Sequence, residues 1–119
     1  MSQLTRADIA VIAGAKGDAA KMTADQVSQI FLGKSMAMKP VDNGDKAVRA
    51  AFYDKVAGKD EAQVKAIWSK LVFTGKATPP AEAASSADVV KAVANGANLI
   101  GYVDAAAVDS SVKVVLEVK

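Results

Sequence analysis

The sequence predicts one α/β domain spanning residues 1–119, a mixed sheet with flanking helices in the order β-α-β-α-α-α-β-β. Three observations predict it: short β-branched runs bounded by glycine, helices announced by capping residues, and a length that suits one core. A chain of this size buries roughly two-thirds of its unfolded surface.

The first strand is the run Asp8-Ile9-Ala10-Val11-Ile12-Ala13, which ends at Gly14 with Gly17 and Asp18 as loop residues. Its continuous apolar character places it inside the sheet. Thr23-Ala24-Asp25-Gln26 has the spacing of a capping box, and Val27, Ile30 and Phe31 then recur at helical spacing up to Gly33. Residues 35–41 alternate weakly through Met36 and Met38 to Pro40 and run into the turn cluster Asp42-Asn43-Gly44, which predicts a strand near an edge.

Asp45 caps a second helix with Val48, Ala51, Phe52 and Val56 as its apolar stripe and Gly58 as its stop, while Arg49 and Tyr53 share a different face. Asp60-Glu61-Ala62-Gln63 is a second capping box. It leads a helix that turns Val64, Ile67, Trp68 and Leu71 inward and ends near Gly75, with Trp68 expected as the largest core anchor. Thr78-Pro79-Pro80-Ala81 reads as a loop, because each proline lacks a donor and disfavours helical geometry in the residue before it. Ser85-Ser86-Ala87-Asp88 starts a fourth helix through Val89, Val90 and Val93 to Asn95-Gly96. Residues 99–103 and Val112–Val118 complete the prediction as strands.

Composition narrows the chemistry. Fifteen basic residues are interspersed with thirteen acidic ones for a net charge of +2, without a basic cluster, so nucleic acid is not an expected partner. The chain lacks cysteine and histidine, which removes thiolate chemistry, the commonest general base and the commonest transition-metal ligand. Asp42, Asp45 and Asp54 lack the spacing of a calcium loop, and the serine pairs have no histidine to activate them. Neither a metal nor a cofactor is expected, and a non-enzyme is the prediction. No apolar run approaches the ~20 residues that span a bilayer, and the first six residues lack a signal-peptide core.

The most informative segment is residues 41–49, where a strand, a polar turn and a helix bearing Arg49 in its first turn make a generic anion site. The alternative is structural: Asp45 caps the helix, and Arg49 is solvated or pairs with Asp45 at i,i+4.

Several blocks carry a resemblance over most of the chain: Ile30-Phe31-Leu32-Gly33-Lys34, Arg49-Ala50-Ala51-Phe52, Trp68 with Phe73-Thr74-Gly75-Lys76, and Ile100-Gly101-Tyr102-Val103. Together they resemble the second half of phosphate-type substrate-binding proteins of ABC transporters. The resemblance implies one lobe of a periplasmic-binding-protein-like fold, an exported or periplasmic location, and a non-catalytic binding role. In that family the turn before the helix commonly reads Ser-Gly-Thr-Arg, which falls here on Lys46, Ala47, Val48 and Arg49. Arg49 is kept and both hydroxyls are replaced, which implies a weak or altered site for an inorganic, phosphate-like anion. A single lobe implies a further partner, either a membrane transporter or a second copy of the chain. The competing reading is a structural or assembly protein that works through protein contacts.

Overall fold

The structure is a computed structural model that describes residues 9–15, 21–35, 38–75, 80–96 and 98–118. Asp8, Gly17, Asp18, Met36, Lys76, Thr78 and Pro79, used in the sequence reading, lie outside the described residues.

Five strands form one mixed sheet in the order β3-β2-β4-β1-β5. β1 (Ile9–Gly14) is antiparallel to β4 (Leu99–Asp104) and to β5 (Val112–Val118), so the most apolar strand is flanked on both sides, as its unbroken run requires. β2 (Lys39–Asn43) runs parallel to β4 and to β3 (Ala81–Ala83). The β1–β5 register shifts between Val11 and Ile12, opposite Leu116 and Val114, which leaves Val115 as a bulge.

The helices form where the caps predict them. Thr23 and Asp60 close full capping boxes at α1 (Ala24–Phe31) and α3 (Glu61–Phe73), and Ser85 accepts from the Asp88 amide at α4 (Ser86–Asn95). α2 (Lys46–Phe52) continues without a break into a π turn, Tyr53–Ala57, and stops at Gly58 with φ +67°.

α1, α2 and α3 cover one face of the sheet, where Phe31, Phe52, Tyr53 and Tyr102 are fully buried together with Val11, Val27, Ile30 and Ile100. The Phe52 and Tyr102 rings stack with centroids 3.9 Å apart, and Phe31 meets Phe52 edge-on at 4.9 Å. α4 covers the other face with Val89, Val90 and Val93 against Ile12, Val41 and Val103. Gly101 lets it approach, since a β carbon there would lie 2.5 Å from the Val89 side chain.

Three expectations are corrected. β2 sits further along the chain than residues 35–41, because Asp42 and Asn43 end the strand and are not a solvent turn. The fully buried Asn43 side chain finds protein partners that hold it in the sheet. The predicted element order lacks β3, which adds a short edge strand where the proline loop leads into the fourth helix. Trp68 is only half-buried and is not the core anchor; it closes the rim, its Nε1 donating to the Phe31 carbonyl at 2.7 Å. The aromatic cluster that it flanks takes the centre instead, because the π turn brings Tyr53 inward beside Phe52. On α3 only Val64 is fully buried, and Phe73 is 91% exposed.

Candidate anion-binding site

The carboxyl end of β2 meets the first turn of α2 and the carboxyl end of β3. Asn43 organises the junction. Its side-chain amide donates to Ser86 Oγ at 3.0 Å and to the Tyr102 carbonyl at 3.1 Å, and its Oδ1 accepts from the Asp45 backbone at 2.8 Å. Ser86 Oγ in turn accepts from the Asp104 backbone at 3.1 Å, so one buried amide ties β2, β4 and α4 to the turn that starts α2. The Gly44 amide donates to the Ala83 carbonyl at 2.7 Å. A β carbon on Gly44 would lie 2.8 Å from the Ala84 carbonyl oxygen, so this close approach needs glycine.

The four sequence-predicted residues have different surroundings. Lys46 and Ala47 are exposed, and Val48 is buried in the core. The amides of Ala47 and Val48 donate to Asp45 Oδ1 at 3.1 and 3.4 Å, so the capping carboxylate takes the donors of the helix start. Arg49 is neither solvated nor paired with Asp45: its side chain is 17% exposed and lies among Asp42, Glu61 and Glu82. Its Nε donates to the Asn43 carbonyl at 3.0 Å and lies 4.0 Å from Asp42 Oδ1. Nη1 donates to Glu61 at 3.3 Å, and Nη2 donates to Glu82.

Behind the guanidinium, Asp42 accepts from the hydroxyl of Tyr53 at 3.3 Å and from that of Tyr102. Burial raises the Asp42 carboxyl above its ordinary value, against the stabilising bonds from Tyr102 and the charge of Arg49. Burial also pushes both phenols up, reinforced by the Asp42 charge, so Tyr53 and Tyr102 act as neutral donors. Burial opposes the Arg49 charge, but Asp42 and Glu82 outweigh it and hold the guanidinium pKa above its ordinary value.

Sequence reasoning found Arg49 and the face that it shares with Tyr53, and both meet at Asp42. It did not find Glu61 or Glu82, which lie 12 and 33 positions from Arg49. No local pattern connects them.

No protein-family model matches the sequence, and a search of curated proteins finds no match. Solved structures do match. A Clostridium perfringens protein assigned as a phosphate ABC transporter substrate-binding protein, solved with bound phosphate, aligns with a TM-score of 0.70 and 22% identity, covering 90% of this chain and 43% of its own. An ABC-type phosphate transport receptor from Vibrio cholerae aligns with a TM-score of 0.69 and 15% identity, covering 94% of this chain and 47% of its own. The chain thus spans less than half the length of these proteins. The resemblance carried by the sequence blocks is also present in three dimensions: this chain has the α/β fold of one portion of the phosphate-transport substrate-binding proteins.

Proposed function

We propose that residues 1–119 act as one non-catalytic binding domain of an exported, periplasmic type, with a weak, altered oxyanion site at Lys46, Ala47, Val48 and Arg49. The observation that carries this reading is Arg49. Its guanidinium is fixed from behind by the Asn43 carbonyl and Asp42, while its outer nitrogens meet two carboxylates that are themselves largely exposed. A phosphate-like anion suits that outer edge, because planar paired N–H donors match oxyanion geometry. The missing hydroxyls, and the amides already taken by Asp45, account for a weak site.

Phosphate titration followed through the backbone amides of residues 44–49 tests this. The expected result is a saturable shift with a Kd on the order of 1 mM, lost in Arg49→Ala. A flat titration, or one unchanged by Arg49→Ala, overturns it.

A second reading, assembly through protein contacts with a membrane transporter or another copy, is favoured by Phe73, an aromatic side chain almost fully in solvent beside the half-exposed Val72. Sedimentation of the wild type and Phe73→Ser separates the two readings: a self-association lost in the variant supports assembly.

A further inference from the structure

The three carboxylates around Arg49 are not equivalent. Asp42 stands behind the guanidinium with an 18% exposed side chain, held by two tyrosine hydroxyls. Glu82 stands in front with a 57% exposed side chain, on the three-residue edge strand β3 whose sheet partner is β2. An inner frame of Asn43 and Asp42 therefore fixes the Arg49 nitrogens, and an outer ligand from a short edge element occupies Nη2. A carboxylate on a guanidinium uses the chemistry that an incoming oxyanion would use. Only the Glu82 side of this pair is open to solvent, 57% against 17% for Arg49, so it is the carboxylate that can exchange.

We propose that Glu82 is a built-in competitor for Arg49, so that an oxyanion binds only as Glu82 leaves and its hold on β3 is released. This rests on the oxyanion reading of Arg49 and adds its regulation. Glu61, 46% exposed and on Nη1, is a companion of the same kind, carried by α3 and not by the sheet edge. Occupancy of the site is thereby coupled to the β3 edge: what frees Glu82 favours the anion, and the anion loosens the link between β3 and α2.

The test is a phosphate titration by amide NMR on wild type, Glu82→Gln and Glu82→Asp. Glu82→Gln removes the competing charge and is expected to bind phosphate about 3- to 5-fold more tightly, the fold-change corresponding to the upper end of the range for a solvent-facing ion pair. Glu82→Asp keeps the charge but shortens the arm, and is expected to keep most of that gain. A gain in Glu82→Gln alone reports a general field effect and overturns the competitor. Binding by the wild type that neither variant improves also overturns it while leaving the oxyanion site standing. Absence of binding in all three proteins overturns the oxyanion site and the competitor together. Glu82→Ala, expected to match Glu82→Gln, replaces it should the glutamine variant fail to fold.

Discussion

The two faces of the sheet bury similar strands under different chemistry. Beneath α4 the contact is aliphatic, with Val89, Val90 and Val93 on Ile12, Val41 and Val103. Beneath α1, α2 and α3 it is aromatic, and two of the four central rings, Tyr53 and Tyr102, end in hydroxyls that reach Asp42. An aliphatic face can only exclude water. The aromatic face excludes water and also delivers two phenol donors to one carboxylate at the end of β2, whereas α4 reaches the site only through Ser86 at its first turn.

The largest effect should come from the aromatic face. Phe52→Ala removes the ring stacked on Tyr102 and should cost about 3–5 kcal/mol in chemical denaturation, whereas Val93→Ala on the α4 face should cost about 2 kcal/mol. Equal losses would mean that the two faces contribute alike.

A smaller, pH-dependent effect separates the faces further. Burial raises the Asp42 carboxyl in the folded protein, so its contribution to stability is fully present below the unfolded pKa and is lost as pH rises through the folded pKa. Asp42→Asn cannot titrate there. Wild type should therefore gain stability relative to Asp42→Asn as pH falls from neutral, in paired denaturation curves at neutral and acidic pH; an unchanged difference would place the carboxylate in a solvated site, and a relative loss would mean that Arg49 and the tyrosine hydroxyls outweigh its burial. Smallest of all, Phe73→Ser should move the melting free energy by no more than about 0.5 kcal/mol, because its ring lies outside both faces.

Much of this architecture was legible in the sequence, and its physical basis explains which parts. The capping boxes at Thr23 and Asp60 are local chemistry, fixed by side chains three residues apart, and both helices start where those residues place them. The β1 run and Val112–Val118 were equally plain, since burial on one or both faces writes itself into the order of apolar residues. Asp42 and Asn43 misled because polar residues before glycine usually mark a solvent turn. Their burial is made tolerable by Tyr102 and Ser86, which lie 59 and 43 positions from Asn43. Trp68 misled through size: its indole N–H needs a partner and finds one at the rim, the Phe31 carbonyl. Within the site, Arg49 and the Asp45 cap could be read from helix spacing, whereas the partners Glu61 and Glu82 depend on how α3 and β3 return to α2.

The bulge at Val115 bears on how copies of this chain behave in a crowded solution. β5 ends the sheet, and an outermost seven-residue strand rich in valine is the kind of surface onto which another copy could add a strand and begin a fibril. The bulge breaks the even spacing that such pairing needs, and the Val115 carbonyl already accepts from the Met22 amide at 2.9 Å. Among the described residues, the opposite edge offers the three residues of β3. Val115 is itself 2% exposed and belongs to the core beneath α1 and α2, so the residue that spoils this edge for pairing also anchors the edge to the fold.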